Sequence, residues 1–270
     1  MKNSLLLAAI LLLAFSCKKS SSSSPSSQSG PVLVSARVTG PGNQWWEYDT
    51  LVYDANKNIV RLSIYGGDSI GSGIEIDTGS YYLTLNASTG LPSSYHLLWN
   101  KEINYPSTFV NVDETHNLYY DSQSRLLEDS LVVNNVSAND PETATYYTYP
   151  SGYIISSGYD ANFSPGVNFV DSMQFNSADN LIYQSEYSGM PGNQVQEDQT
   201  TFVNYSSYAN PFYSSRYAMN LGVFLLDQVG VDGVSKNLLA DNIVTFNRDS
   251  TGKIVSTVAT DGTVTVYTYH

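Results

Sequence analysis

The chain has 270 residues, of which only 14% are charged, and its formal net charge is −13. All 25 Asp and Glu residues follow residue 30, whereas three of the 12 Lys and Arg residues precede it, so residues 31–270 have a net charge of −16. The absence of clustered cations excludes nucleic acid as a partner, and the single cysteine excludes a disulfide framework, so burial of apolar side chains has to stabilise the fold.

Residues 1–16 predict a lipoprotein signal peptide. Lys2 is followed by a stretch without polar side chains from Leu5 to Phe15, which is shorter than the roughly 20 residues that a membrane-spanning helix needs. Residues 14–17 resemble a lipoprotein processing box, in which a small residue precedes a cysteine that is acylated and becomes the new N-terminus. We therefore expect Cys17 to be lipidated and to anchor the protein on a membrane. The alternative is a free thiol near the cleavage site.

Residues 17–30 predict a lipidated cysteine followed by a serine-rich tether. After Lys18 and Lys19, residues 20–29 are all serine except for one proline and one glutamine, and such a segment has too little apolar surface to offset the entropy of ordering. Lys18 beside the cysteine resembles the sorting pattern of outer-membrane lipoproteins. We expect the protein in the cell envelope, lipid-anchored on the outer membrane and facing the periplasm.

Residues 31–270 predict a single all-β repeat domain. The 22 tyrosines, with abundant Thr, Val and Ser, favour strands over helices. One pattern recurs: an alternating strand that ends in an aromatic residue, a turn beginning with Asp or Asn, and Ile or Leu opening a second strand. Its copies begin at residues 51, 83, 118, 173 and 244. The turn residues identify each copy as a β-hairpin.

The repeated hairpins predict an antiparallel meander. A hairpin cannot bury its own apolar face, so neighbouring hairpins are expected to pair into a curled sheet or partly closed barrel. The pattern predicts equivalent positions, just before a turn, for Tyr53, Tyr120, Phe175 and Phe246.

The strand alternation breaks between residues 208 and 240. Within this segment, Tyr217–Val229 has apolar residues along one side at helical spacing, although Gly222 disfavours a helix. We expect a short helix that covers an open end or edge of the sheet.

Two features of the sequence resemble known proteins. Residues 119–126 resemble the tyrosine–aspartate (YD) repeat of Rhs proteins, with Ser124 where that family usually has glycine. The lipoprotein box, the scattered repeats and the segments 208–212 and 235–237 together resemble uncharacterised lipoproteins of Bacteroidota with a porin-like, antiparallel β fold. This resemblance implies the fold for most of residues 31–270 and implies no activity. The long repeat array and the toxin of Rhs proteins have no counterpart in this sequence.

Ionisable residues give little support for catalysis. Asp113, Glu114 and His116 form the densest cluster, from which a metal or acid–base site could be drawn. A solvated loop before the next strand explains the same three residues. Glu128 and Asp129 are adjacent, so on a strand their side chains point to opposite faces and cannot act as a pair. We therefore expect no enzyme activity, no metal and no cofactor.

Aromatic side chains carry the one functional expectation. Adjacent tyrosines at 81–82, 119–120 and 146–147 put rings on both faces of a strand, so one ring of each pair packs the core and the other faces solvent, a lumen or a partner. Exposed rings can stack on sugars or dock a protein, whereas cross-strand tyrosine ladders stabilise sheets on their own. The candidate binding aromatics are Trp45, Trp46, Trp99, Tyr82, Tyr119 and Tyr147.

Two functions from different classes follow for this domain. The first is a non-catalytic envelope module that binds a glycan, a peptide or a partner protein through a curved aromatic face. The alternative is a purely structural or assembly lipoprotein without a small-molecule ligand. An envelope hydrolase ranks third.

Overall fold

A computed structural model describes residues 32–70, 73–104, 107–134, 144–160, 167–189, 195–211, 235–240 and 243–270. Over these ranges the chain forms strands and turns with one three-residue 3-10 helix, which confirms the all-β class. The signal peptide, the lipidated cysteine and tether, and the helix expected at 217–229 lie outside the described residues. No helix in the described ranges is long and apolar enough to cross a membrane.

The described chain contains seventeen strands. The four longest, β3 to β6, have 12 to 14 residues each. The bounds in chain order are β1 (Leu33–Thr39), β2 (Trp45–Tyr53), β3 (Ile59–Ile70), β4 (Gly73–Leu85), β5 (Pro92–Asn104), β6 (Ser107–Tyr120), β7 (Leu126–Asn134), β8 (Ala144–Thr148), β9 (Tyr153–Asp160), β10 (Val167–Phe175), β11 (Leu181–Gly189), β12 (Val195–Thr201), β13 (Tyr205–Ala209), β14 (Asn237–Leu239), β15 (Ile243–Arg248), β16 (Ile254–Ala259) and β17 (Val264–Tyr269).

Fifteen of these strands form one antiparallel meander. The order β12 to β1 follows the chain in reverse, and β17, β16 and β15 continue the sheet beyond β1. Ala36 on β1 pairs with Tyr267 on β17 and with Asp49 on β2, so the two ends of the domain lie side by side. In the described residues the edges are β12 and β15, which confirms an open, curled sheet rather than a closed one.

The hairpin turns show why Asp or Asn opens each of them. In the first copy, the backbone N–H of Asp54 donates to the carbonyl of Asn58, and the Asp54 carbonyl accepts from the N–H of Lys57. Oδ1 of Asp54 also accepts from the N–H groups of Asn56 and Asn58, each at 2.8 Å. The same pattern recurs in three further turns, which open at Asp121, Asn176 and Asp249. The side chain thus replaces backbone acceptors that a tight turn lacks.

Three of the four predicted reference positions are equivalent. Tyr53, Tyr120 and Phe175 each end a strand immediately before such a turn. Each pairs with the buried Ile or Leu that opens the next strand. These three hairpins therefore share one geometry, and a sequence repeat over the whole domain stays a prediction.

The fourth position is displaced by two residues. Arg248, not Phe246, ends β15, and the turn opens at Asp249 rather than at Asn247. Both Asn247 and Asp249 are suited to open a turn. Opening at Asp249 places Gly252 at the fourth position of the turn, where its φ is +89°, a conformation that glycine adopts without strain.

One face of the large sheet, which we call the inner face, carries the buried side chains. It includes Leu62 on β3 and its cross-strand partner Tyr81 on β4, and also Tyr95 on β5 and Leu118 on β6. The buried cluster continues from β1 to β17. In the described residues the only other layer is the two-stranded sheet β13–β14. The side chains of the inner face pack against one another and against Leu238 of the small sheet. The opposite side is the outer face.

The small sheet contacts strands near both edges of the large one. The Ser235 hydroxyl oxygen accepts from the N–H of Leu181 at 3.1 Å, and the Tyr205 hydroxyl donates to the Leu181 carbonyl. On the other side, the ring of Tyr208 lies 4.8 Å from that of Phe246. The described ends of the segment expected to form a cover therefore connect β11 with β15.

Candidate functional site

Each of the three tyrosine pairs places one ring on either face of the sheet. Tyr147, chosen from the sequence as a binding residue, is only 6% exposed, whereas its neighbour is 51% exposed. Tyr147 belongs to the buried cluster of the inner face, so the exposed ring of this pair is Tyr146 and not the residue chosen from the sequence. The inner members are Tyr81, Tyr120 and Tyr147, and the outer members are Tyr82, Tyr119 and Tyr146.

The three candidate tryptophans pack against glycines. A methyl group added at Gly79 would overlap the Trp99 ring, and one added at Gly40 would overlap the Trp45 ring. Trp46 lies against Gly67 of β3, where an added methyl group would be 3.1 Å from the ring, and is edge-on to Tyr65, with ring centroids 4.7 Å apart. A large ring over a glycine fills the gap that a missing side chain leaves in a sheet. These tryptophans therefore have a packing role.

A polar strip crosses the outer face of β3 to β6. The guanidinium of Arg61 lies 6.0 Å from the ring centroid of Tyr82, which in turn lies 6.3 Å from the imidazole of His96. Nε2 of His96 is 2.7 Å from Oδ1 of Asp113. Tyr82 is thus exposed but already in contact with a cation and a second ring.

A second outer-face group, which we call the tyrosine site, consists of Tyr119, Glu128 and Tyr146. Tyr119 pairs with Glu128 across β6 and β7, and Glu128 pairs with Tyr146 across β7 and β8. At 50% and 51% exposure, the two rings are the most exposed aromatic side chains of the described residues. A carboxylate therefore lies between two open rings on adjacent strands.

His116 and its neighbours lie in a strand, not in the expected loop. Asp113, Glu114 and His116 belong to β6, where Asp113 points outward and the other two point inward. Nδ1 of His116 lies 2.8 Å from Oδ1 of Asp129, and Nε2 lies 3.4 Å from Oε2 of Glu114. The polar side chains are accommodated in the sheet because each has a hydrogen-bond partner, His96 for Asp113, and Asp129 and Glu114 for His116. Sequence reasoning missed these partners because Asp129 is distant along the chain.

The chemistry of this inner network is that of an ion-pair cluster. Burial opposes a charge on His116, but the hydrogen bonds to Asp129 and Glu114 outweigh it and raise the pKa of His116 to about 9. The Tyr95 hydroxyl donates to the second oxygen of Asp129 at 2.8 Å. A protonated imidazole with both nitrogens directed at carboxylates offers no lone pair to a substrate or a metal. In the described part of the chain, no group of three or more His, Cys, Asp or Glu side chains could hold a metal ion.

A second buried acid lies on β2. Asp49 is 2% exposed, and its Oδ1 is buried without a hydrogen bond. Burial, and then the nearby charge of Glu47, raise the pKa of Asp49 to about 8. Burial also raises the pKa of Glu47. The sequence did contain a signal for the inward position of Asp49. In a strand over residues 45–53, alternate side chains point to the same face, so Asp49 is on the same face as the apolar Leu51.

No protein-family model matches the chain, and no curated protein matches it. Among solved structures, the chain is similar to a porin-like protein from Bacteroides uniformis ATCC 8492, with 9% sequence identity and a TM-score of 0.36. The similar region covers 88% of this chain and 98% of that one. The neighbour is thus a distant one, and the resemblance to Bacteroidota lipoproteins and to YD repeats stays a prediction.

Proposed function

We propose that the chain is a non-catalytic binding module of the cell envelope, which recognises a glycan, a peptide or a partner protein through outer-face tyrosines. The tyrosine site carries this proposal. Tyr119 and Tyr146 are half exposed, and within the described residues neither ring has a hydrogen bond or a ring partner. Exposed rings of this kind supply contact area at a small cost in side-chain entropy.

Tyrosines elsewhere in the fold have evident structural partners. The hydroxyl groups of Tyr53, Tyr149 and Tyr269 donate to backbone carbonyls at 2.6 to 2.8 Å. A stabilising tyrosine ladder would require ring contact across adjacent strands, but Tyr119 and Tyr146 are separated by β7. The packing explanation therefore accounts for the inner rings and leaves these two unexplained.

The absence of catalysis is proposed from the state of the best acid–base candidate. His116 is held by two carboxylates, and its raised pKa of about 9 keeps it protonated near neutral pH. A general base has to be unprotonated and within reach of a substrate. Purified protein tested against ester, glycoside and peptide substrates, with and without divalent metal, is expected to be inactive. Turnover that disappears in His116→Ala would contradict this proposal.

The envelope location is proposed from the N-terminal sequence, with Cys17 as the lipid anchor on the outer membrane, facing the periplasm. Acyl chains buried in a bilayer hold a protein durably, at about 0.8 kcal/mol per buried CH₂. Cys17→Ser is expected to move the protein from the membrane fraction to the soluble fraction. Continued membrane association of this variant after a salt wash would place the anchor elsewhere.

The binding function is tested by titrating the purified full chain with a panel of neutral glycans and of peptides and following intrinsic fluorescence. We expect saturable binding by at least one class, weakened in Tyr119→Ala and Tyr146→Ala. Tyr48→Ala is the matched control, because Tyr48 is a similarly exposed outer-face ring far from Glu128 along the sheet. Binding that is lost equally in all three variants, or no binding at all, would contradict the proposal.

A structural or assembly lipoprotein is the second candidate. The contacts between tryptophans and glycines favour it, because three of the six aromatics selected from the sequence pack the sheet. On this alternative, Tyr119→Ala and Tyr146→Ala leave every interaction of the protein unchanged. Deletion of the gene would then alter envelope integrity, and the double variant would restore it fully.

A further inference from the structure

We infer that the tyrosine site binds a lysine or arginine side chain of a basic protein segment. This inference rests on the proposed binding function and specifies the chemistry of the ligand. The site combines the two groups that attract an organic cation, a carboxylate and the faces of aromatic rings. Its members lie on three consecutive strands in direct register.

The spacing of the site suits a cation placed above Glu128. Neighbouring strands lie about 4.8 Å apart, so the Cβ atom of each tyrosine is roughly 5 Å from that of Glu128 and the two tyrosine Cβ atoms are roughly 10 Å apart. A cation is attracted to a ring when it lies within about 6 Å of the ring centroid. One ammonium or guanidinium group paired with Glu128 therefore falls within reach of both tyrosines.

Elsewhere in the described residues, tyrosine rings already contact a cation of the chain itself. Arg125 lies 4.6 Å from the ring centroid of Tyr149 and pairs with Asp121, with 2.7 Å between its Nε and Oδ2 of the aspartate. Lys253 lies 4.2 Å from the ring centroid of Tyr269. In both cases the fold places a cation against a tyrosine next to a turn. The tyrosine site has one carboxylate and two rings, and within the described residues no Lys or Arg contacts any of the three.

The charge of the domain favours a cationic partner over other ligands. Residues 31–270 have a net charge of −16, which attracts basic segments and repels acidic glycans and phosphates. Glu128 has no counterion in the described residues, and a cation is the ligand that forms a charge-assisted hydrogen bond with it. A basic segment neutralises it and stacks on the rings at the same time.

The test uses the purified full chain and a fluorescent peptide with four arginines separated by glycine and serine, followed by anisotropy. A matched peptide with citrulline in place of arginine removes only the charge. We expect Tyr119→Ala, Tyr146→Ala and Glu128→Gln each to weaken peptide binding about 2- to 5-fold, from the typical strength of an exposed cation–π contact or ion pair. Tyr48→Ala is expected to change binding less than twofold, and Tyr119→Phe to retain it. Unchanged thermal unfolding of all variants confirms that they remain folded.

Four outcomes would overturn the inference. Equal binding by wild type, Tyr119→Ala and Tyr146→Ala would show that diffuse negative charge attracts the peptide. Equal binding of the arginine and citrulline peptides would show that no cation is recognised. If a neutral oligosaccharide binds instead and Tyr119→Ala abolishes that binding, the ligand is a glycan and the proposed function stands without this inference. If neither probe binds, the proposed function fails as well.

Discussion

The inner and outer faces of the large sheet contain the same residue types in different roles. Inner-face Tyr81 and Tyr95 are buried, and the Tyr95 hydroxyl is held by Asp129. Outer-face Tyr119 and Tyr146 have half of their surface exposed and no partner in the described residues. The side chain alone does not decide the role of a tyrosine. The decisive factor is which face of its strand the ring occupies.

Carboxylates show the same division between the inner face and the turns. Asp54 and Asp121, at the turns, accept hydrogen bonds from backbone N–H groups and have lowered pKa values, although partial burial opposes the shift. Asp49, on the inner face, has a raised pKa because it is buried. The acids at the turns therefore stabilise the hairpins in their charged form, whereas the buried Asp49 destabilises the core when it is charged.

The largest effect on stability is expected from substituting one of two adjacent leucines that lie on opposite faces of the sheet. Leu126 is fully buried in the inner cluster, whereas Leu127 is 41% exposed. Leu126→Ala is expected to lower the free energy of unfolding by about 2 to 5 kcal/mol, because it removes buried apolar contacts and leaves a cavity. Leu127→Ala, the matched control, is expected to cost less than about 1 kcal/mol. Urea unfolding measures both, and equal costs would contradict the assignment of the faces.

A smaller change in the free energy of unfolding is expected when the pH is varied. Asp49 keeps its proton in the folded state up to about pH 8 but loses it near pH 4 when unfolded. The folded state therefore binds more protons in this interval, and stability falls as pH rises, by up to about 1.4 kcal/mol per pH unit for one group. His116 acts in the same direction between its ordinary pKa and about 9.

Asp49→Asn separates these two contributions. The variant is expected to lose the pH dependence between about pH 4 and 6.5 and to keep the His116 contribution above it. Asp68→Asn is the control, since Asp68 is an exposed carboxylate on the neighbouring strand. Urea unfolding at several pH values measures the slopes. A wild-type slope in Asp49→Asn would mean that another group carries the effect.

The fold was more readily predicted than the site, for physical reasons. Asp or Asn followed by Ile or Leu is a local signal, and the turns at Asp54 and Asp121 use these residues as expected. The hydrogen bond between His116 and Asp129 joins two neighbouring strands, so a local sequence pattern cannot predict it. The choice between Tyr146 and Tyr147 required a fixed reference for the inner face, which residues 144–148 do not supply.

The smallest effect on stability is expected at the residue with a positive φ that each of the four turns contains. Ser124 has a φ of +64°, at the position where Gly252 occupies the fourth turn and where YD repeats usually have glycine. A non-glycine residue in this conformation is strained by roughly 1 kcal/mol, partly offset by the greater freedom of glycine in the unfolded chain. Ser124→Gly is therefore expected to raise the free energy of unfolding by up to about 1 kcal/mol. Ser122→Gly, in the same turn without a positive φ, is expected to be neutral or slightly destabilising. If both substitutions destabilise equally in urea unfolding, backbone strain at Ser124 does not limit the stability of the hairpin.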